Sequence, residues 1–142
     1  MGNSRSVNKI NFEDVQICIN DDSFIIINTL PINNQKCLIK GTLLPEKESE
    51  IINKNLNSPS NIKIIIYGEN NIDETIYQKY TQLLNMGFLN IYVYVGGLFE
   101  WLCLQDIYGQ ENFPTTQNII DILQFKGIKH YTNHIINFNI FL

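Results

Sequence analysis

The chain has 142 residues, a formal net charge of −4, a hydrophobic fraction of 44% and a charged fraction of 17%. This length fits one domain with short tails, and the composition is ordinary for a globular protein. The acidic balance argues against nucleic-acid binding, which usually leaves a basic patch in the sequence. No apolar run reaches the ~20 residues that a transmembrane helix needs.

Residues 1–9 predict a flexible arm that carries a lipidation motif. Met1-Gly2-Asn3-Ser4-Arg5-Ser6 fits the pattern M-G-x-x-x-[ST], in which myristate is attached to Gly2 after Met1 is removed. The alternative is an arm that merely begins with Met-Gly. One myristoyl chain binds membranes weakly, with a partition constant of ~10⁴ M⁻¹, so the motif predicts a cytoplasmic protein that is partly peripheral on a membrane.

The first half of the domain predicts two helices and one strand. Asn11 can cap a helix over residues 12–20, and the apolar run at 23–28 is typical of a central strand. Pro45 can begin the next helix, because N–H groups in the first turn have no acceptor within the helix and a proline there loses no hydrogen bond.

Residues 62–101 predict a β-α-β unit followed by a further helix. Residues 62–67 form a β-branched apolar run, typical of a buried strand. The next helix has one apolar face, formed by Ile76, Tyr80, Leu83 and Leu84. Asn71 and Glu74 fit a capping box at its start, and Gly87 fits its end. A second strand at 91–95 precedes a helix at 98–106.

The last part of the domain predicts one more helix, introduced by Pro114, whose core candidates are Ile119, Ile120, Ile122 and Leu123. From residue 126 the pattern weakens. His130 and His134 have the spacing of zinc ligands on a helix, but no third ligand is near, and no metal site is predicted. The sequence therefore predicts an arm at 1–9, a domain at 10–125 and a tail at 126–142.

Two spaced motifs mark the β-α-β unit, Leu83-x-x-x-Gly87-Phe88 and Val93-x-x-Gly96-Gly97-x-x-x-Trp101. Together they resemble the C-terminal half of rhodanese-like domains. The resemblance covers about residues 11–123 and is strongest after 62. It implies an α/β fold with a parallel sheet of about four or five strands and helices on both faces. It also places a catalytic, persulfide-carrying cysteine directly after the first strand of the unit, where this chain has Gly68.

The resemblance thus implies a vestigial active-site loop, made of Gly68, Glu69, Asn70, Asn71, Ile72, Asp73 and Glu74. This loop has no cysteine, serine or threonine to act as a nucleophile and no lysine or arginine to hold an oxyanion. Its three acids are typical dipole partners of a helix N-terminus, and they would repel an anionic sulfur donor. They offer too few oxygen ligands for a hard cation, so no metal or cofactor is expected.

The three cysteines have no disulfide or zinc spacing, which predicts free thiols in a reducing compartment. Cys18 and Cys103 are expected in the core, whereas Cys37, beside Lys36, is expected to be exposed. Tyr94, near the carboxyl end of its strand, is expected to border the vestigial pocket, because ligands of open α/β sheets bind at that end.

These observations predict a catalytically inactive rhodanese-like domain that serves as a binding or scaffolding module for an unknown protein or peptide. The alternative is a divergent sulfurtransferase or a phosphatase-like enzyme with a non-standard nucleophile. A third hypothesis is a structural or oligomerisation role for the tail. The residue at the head of the loop distinguishes an inactive domain from an enzyme, since sulfur transfer and phosphatase-like hydrolysis both need a nucleophile there.

Overall fold

The computed structural model describes residues 6–129 and contains a four-stranded parallel sheet. Its strands are β1 (Lys9–Ile10), β2 (Phe24–Asn28), β3 (Lys63–Tyr67) and β4 (Ile91–Tyr94), in the spatial order β1-β4-β3-β2. Because parallel strands end at the same edge, the residues that follow β2, β3 and β4 meet at the carboxyl edge of the sheet. Gly2, His130 and His134 lie outside the described residues.

Within residues 6–129, four α-helices cover both faces of the sheet. They are α1 (Phe12–Cys18), α2 (Pro45–Lys54), α3 (Thr75–Asn85) and α4 (Gly97–Tyr108). Successive side chains of β3 point to opposite faces, so Ile65 packs with α1 and α4, whereas Ile64 and Ile66 pack with α2 and α3. The predicted α/β fold, with a parallel sheet of four or five strands and helices on both faces, is confirmed.

Local signals set several helix ends as predicted. The Asn11 Oδ1 accepts a hydrogen bond from the Asp14 N–H at 3.1 Å, and the Asn11 N–H donates to the Asp14 carboxylate at 3.0 Å. Pro45 is the first residue of α2. Gly87 follows the end of α3, and Phe88 after it is fully buried. These contacts satisfy backbone groups that a helix end leaves without partners.

Strand β1 lies where the sequence predicts a flexible arm. Lys9 pairs with Val93, and Ile10 pairs with Tyr94. The Val93 N–H also donates to the Asn8 carbonyl at 2.8 Å. Asn8 and Lys9, which the sequence assigns to the arm, therefore bond to β4. A strand of two residues has no periodicity, so the hydrophobic pattern could not predict it.

Strand β2 lies at the edge of the sheet, although its apolar run is typical of a central strand. A single bridge joins Ile26 to Thr42, and the Leu43 N–H donates to the Ile26 carbonyl at 2.9 Å. Ile26 and Ile27 are nevertheless buried, because they belong to the two core clusters on opposite faces of the sheet. The strand itself is confirmed, but the central position is wrong, because helices on both faces of the sheet bury the side chains of an edge strand as fully as those of a central one.

The segment that follows α4 does not form the helix predicted after Pro114. The Lys40 N–H donates to the Pro114 carbonyl at 3.0 Å, and the Thr116 N–H donates to the Leu38 carbonyl at 2.8 Å. An isolated antiparallel bridge joins these two segments. Backbone groups that a helix would use internally are therefore bonded to a distant part of the chain, and the predicted helix is wrong.

A short 3₁₀ helix, Ile122–Phe125, stands in place of that helix. Two of the four predicted core residues, Ile120 and Leu123, are exposed, and Ile119 and Ile122 are only partly buried against the core. Phe125, which was not predicted as a core residue, is fully buried. Isoleucines that adjoin in sequence cannot all face one core from a single turn, so the aromatic residue anchors the segment instead.

Candidate functional site

The predicted vestigial loop, Gly68 to Glu74, joins β3 to α3 at the carboxyl edge of the sheet. Helix α3 begins at Thr75, later than a cap at Asn71 would require. No side chain caps α3 at Glu74, and the capping box predicted between Asn71 and Glu74 does not form. That prediction is wrong because a different side chain of the loop, Asp73, bonds the nearby amides.

The Asp73 carboxylate accepts three hydrogen bonds inside the loop. Its Oδ2 accepts from the Glu69 N–H at 2.9 Å. Its Oδ1 accepts from the Thr75 N–H at 2.9 Å and from the Thr75 hydroxyl at 2.5 Å. The same Thr75 hydroxyl lies 2.7 Å from the Thr29 hydroxyl, just after β2. Hydrogen bonds to an ionised acceptor are strong, so Asp73 fixes the loop against the first turn of α3.

Sequence reasoning missed this role of Asp73 and the part of Thr75 in it. A signal was present, since an aspartate often bonds the backbone N–H two residues later in a turn. The competing pattern of Asn71 and Glu74 fits a capping box equally well. Spacing alone could not decide between the two.

Gly68, at the head of the loop, has no room for a side chain. A Cβ atom at this position would lie 2.4 Å from Asp73 Oδ2 and 2.9 Å from Asp73 Cγ. It would also lie 3.0 Å from Thr29 Oγ1. The carboxylate of Asp73 thus occupies the space into which a side chain at position 68 would extend.

The Gly96-Gly97 pair packs beneath the loop. The Leu98 N–H donates to the Gly68 carbonyl at 2.9 Å, and the Phe99 N–H donates to the Glu69 carbonyl at 2.8 Å. Gly97 has a φ of +70°, and a Cβ there would lie 2.8 Å from both the Asn70 nitrogen and the Gly68 oxygen. Glycine at this position therefore permits both the left-handed backbone and the close approach of the loop.

Asn70 connects the loop to the C-terminal segment. Its side chain is buried, its Nδ2 donates to the Phe125 carbonyl at 3.0 Å, and its Oδ1 accepts from the Ile72 N–H at 3.1 Å. A Cβ at Gly127 would meet Ile72 Cδ1 at 3.1 Å, so this segment lies directly on the loop. No sequence pattern pairs residue 70 with residue 125, and this contact was not predicted.

An open cavity of about 500 Å³ borders the loop. Its walls are acidic and apolar, with one lysine, and comprise Thr29, Pro31, Glu69, Asn70, Ile72, Asp73, Glu74, Thr75, Lys126 and Ile128. Burial and the neighbouring charge of Asp73 raise the pKa of the Glu69 carboxyl. Within residues 6–129, neither Glu69 nor Glu74 has an ion-pair partner. The cavity is therefore a negatively charged recess with exposed apolar surface at Ile72 and Ile128.

The three cysteines do not line this cavity. Cys37 is only 1% exposed, and its Sγ donates to the Gln117 carbonyl at 3.2 Å. The predicted exposure of Cys37 is wrong because the segment at 114–117 covers it. Cys18 is buried as expected, while Cys103 is partly exposed. Burial is the main cause that raises the pKa of all three thiols, which disfavours their nucleophilic thiolate form.

Tyr94 does not border the cavity, contrary to the prediction. Its side chain is 1% exposed, and its ring packs edge-on against Trp101 with 6.1 Å between ring centroids. The Tyr94 hydroxyl donates to Glu100 Oε1 at 2.6 Å. Burial, together with this bond and the Glu100 charge, raises the pKa of Tyr94. The residue belongs to the core beneath α4.

Several solved structures resemble this fold, among them the following two. The Alr3790 protein from Anabaena sp. has a TM-score of 0.55 and 22% sequence identity, with 81% of this chain and 84% of that chain covered. A full-length protein from Lactobacillus plantarum has a TM-score of 0.54 and 16% identity, with 78% and 88% covered. At these identities the likeness shows the fold alone. A comparison with curated proteins gave no significant match.

The family comparison gives the stronger result. The model described as "Rhodanese-like domain" matches residues 26–103, which is more than half of the chain. The matched region includes the end of β2, all of β3 and β4, the loop at residues 68–74 and the Gly96-Gly97 pair beneath it. The chain belongs to the rhodanese-like domain family.

Proposed function

We propose that this rhodanese-like domain is catalytically inactive and acts as a binding or scaffolding module. The observation that carries the proposal is the head of the loop. Gly68 stands where the family resemblance places the catalytic cysteine, and the Asp73 carboxylate lies 2.4 Å from the position of a Cβ there. Gly68 itself supplies no nucleophilic atom, and the Asp73 carboxylate occupies the space that a nucleophilic side chain would need.

The charge of the loop supports the same proposal. The seven residues contain three carboxylates and no lysine or arginine. An anionic sulfur donor or a phosphate ester would therefore meet repulsion where an active loop provides attraction. The thiols of Cys18, Cys37 and Cys103 lie elsewhere in the fold. Their pKa values are raised, so they do not replace the missing nucleophile.

The direct test is an assay of thiosulfate:cyanide sulfurtransferase activity on the purified wild-type protein, with a phosphate monoester as a second substrate. We expect no thiocyanate and no free phosphate above a protein-free blank. Cys103→Ser is the matched control, because Cys103 is the most accessible of the three thiols. Any turnover by the wild type would overturn the proposal, and its loss in Cys103→Ser would identify Cys103 as a non-standard nucleophile.

The proposed partner is a basic peptide segment that enters the acidic recess beside the loop. Charge complementarity supports this class, since Glu69 and Glu74 line the recess without ion-pair partners among residues 6–129. The aliphatic stems of lysine and arginine can cover the apolar surface of Ile72 and Ile128 while their charged ends meet the carboxylates. Electrostatic pairing of this kind favours specificity and rapid association.

An arginine- and lysine-rich decapeptide and a glutamate-rich decapeptide of equal length are suitable probes. We expect the basic peptide alone to bind the wild type, and Glu69→Lys/Glu74→Lys to weaken that binding at least about tenfold, equivalent to ~1.4 kcal/mol. The control Glu50→Lys/Glu111→Lys makes the same change in net charge at exposed positions outside the recess. Equal loss in both variants would mean that the recess does not select the peptide.

We further propose that Gly2 is N-myristoylated and that the protein is cytoplasmic with weak, reversible membrane association. The supporting feature is the sequence motif, because Gly2 lies outside residues 6–129. Within that range no helix is long and apolar enough to cross a membrane. Labelling with an alkyne analogue of myristate should mark the wild type and not Gly2→Ala. Equal labelling of both, or of neither in a cell with active N-myristoyltransferase, would contradict lipidation at Gly2.

A further inference from the structure

The loop at residues 68–74 contains an anion of its own. The Asp73 carboxylate is bonded by the Glu69 N–H, the Thr75 N–H and the Thr75 hydroxyl, at 2.9, 2.9 and 2.5 Å. Backbone amides at the start of a helix are the groups that hold an external anion in many proteins. Here the Thr75 amide at the start of α3 and the Glu69 amide in the loop already have a carboxylate acceptor, supplied by the chain itself.

The same carboxylate also excludes a side chain at the head of the loop. Its Oδ2 lies 2.4 Å from the Cβ position of residue 68, and Thr29 Oγ1 limits that space at 3.0 Å. Thr75 connects the two groups that limit this space, since its Oγ1 lies 2.5 Å from Asp73 Oδ1 and 2.7 Å from Thr29 Oγ1. Movement of the carboxylate away from residue 68 would therefore break several hydrogen bonds at once.

We propose that Asp73 is an internal ligand of the loop, which occupies both the backbone amides and the space of a nucleophilic side chain at position 68. A side chain at position 68 and the carboxylate of Asp73 then exclude each other, because both need the same space, and an external anion would have to displace that carboxylate from the amides. Gly68 and Asp73 act as one unit that closes the loop. The inference rests on the proposed function in taking this loop as the inactive counterpart of the family's active-site loop.

Glu74 provides the comparison that separates occupancy from charge. It carries the same charge one residue later, yet its carboxylate accepts no hydrogen bond from the described residues and lies exposed on the cavity wall. Removal of either acid changes the net charge of the loop equally. Only the removal of Asp73 frees the Glu69 and Thr75 amides and the space beside Gly68.

The first experiment is a double-mutant cycle on stability in urea. Gly68→Ala should destabilise the wild type, because its Cβ meets the carboxylate, and should cost markedly less in an Asp73→Ala background. We expect this coupling to be about tenfold or more in the unfolding equilibrium constant. The parallel cycle with Glu74→Ala should show additive effects. Additivity in both cycles would overturn the proposed competition for space.

The second experiment measures the reactivity of a thiol introduced by Gly68→Cys, alone and combined with Asp73→Ala or Glu74→Ala. The rate of alkylation by iodoacetamide at position 68, followed by mass spectrometry from pH 5 to 10, gives the thiol pKa. Freed amides stabilise a thiolate, so the Asp73→Ala combination should react about tenfold faster near neutral pH than the Glu74→Ala combination. Equal reactivity of the two combinations would show a simple charge effect and overturn the internal-ligand role.

The inactive function and the internal-ligand role of Asp73 can be refuted independently of each other. Sulfur transfer by the wild-type protein would overturn the inactive function while leaving the coupling between positions 68 and 73 to be measured. Should Gly68→Cys prevent folding, the urea cycle with the smaller Gly68→Ala still decides the inference. Circular dichroism of each variant before the assays identifies that case.

Discussion

The side-chain amide of Asn70 donates a 3.0 Å hydrogen bond to the backbone carbonyl of Phe125, and this bond joins the acidic loop to the C-terminal segment. Phe125 is fully buried and Asn70 is 7% exposed. The Asn70 Oδ1 also accepts from the Ile72 N–H at 3.1 Å. One amide side chain therefore satisfies backbone groups on two segments that lie far apart in sequence.

Asn70→Ala should destabilise the protein by about 1–3 kcal/mol, because it leaves the Phe125 carbonyl and the Ile72 N–H without their partners. Urea denaturation measures the change. Asn71→Ala is the matched control, since Asn71 is exposed in the same loop and should lie within about 0.5 kcal/mol of the wild type. A loss as small for Asn70 as for Asn71 would mean that water replaces the lost contacts.

Gly97→Ala should destabilise the protein more than Gly109→Ala does. Both glycines have a positive φ, +70° and +97°, so each substitution carries backbone strain of about 1–3 kcal/mol. Only at Gly97 would the added Cβ meet backbone atoms, at 2.8 Å, whereas Gly109 has nothing within 4 Å. The difference between the two variants in thermal or urea unfolding measures the steric contact with the loop. Equal losses would show that the loop moves away without cost.

The ion pair between Lys79 and Glu48 should contribute more to stability than that between Lys47 and Glu50. The first joins α3 to α2 at 2.5 Å with side chains 23% and 16% exposed, while the second spans 3.6 Å at 68% and 67% exposure. Lys79→Met should cost about 1–2 kcal/mol, less than breaking a fully buried pair does, and Lys47→Met at most about 0.5 kcal/mol. Urea unfolding in low and high salt checks both, and salt should matter more for the exposed pair.

Glu69→Gln should remove one contribution to the pH dependence of stability in the acid range. Burial and the charge of Asp73 raise the pKa of Glu69 above its ordinary value of 4.5. The folded state therefore holds this proton more tightly than the unfolded state. The associated stability is fully present below pH 4.5 and is lost as the pH rises through the raised pKa. The stability of Glu69→Gln minus that of the wild type should therefore increase between pH 4 and pH 7.

The measurement for Glu69→Gln is the urea midpoint at several values from pH 4 to pH 7. Glu111→Gln, an exposed glutamate outside the acidic recess, serves as the control and should follow the wild type across this range. A Glu69→Gln curve that runs parallel to the wild-type curve would contradict the raised pKa.

The elements that the sequence predicts well are those with a period or an end signal. The hydrophobic pattern alone predicts the strands β2 and β3, from their isoleucine runs, and the helix α3, from its apolar face. Asn11, Pro45 and Gly87 define helix ends through contacts within a few residues. Such local contacts can be predicted from one sequence because both partners lie in the same short window.

Most of the errors concern contacts between distant segments. The two residues of β1 are defined by β4, and the non-helical path after Pro114 is defined by its bonds to residues 38–40. The buried position of Cys37 follows from the same pairing. In the loop, the seven residues are predicted from the family resemblance, but spacing cannot decide between the bonds of Asp73 and a capping box of Asn71 and Glu74, and no spacing pairs Asn70 with Phe125.

The burial of Phe125 means that the independent folding unit is longer than the region of family similarity. The family match ends at residue 103, yet the Trp101 indole donates to the Pro114 carbonyl at 3.2 Å, and Phe113 and Phe125 complete the core around it. A chain cut at the family boundary would expose the Trp101 side of the sheet and remove the cover from the loop. Any autonomous version of this domain therefore has to extend past Phe125.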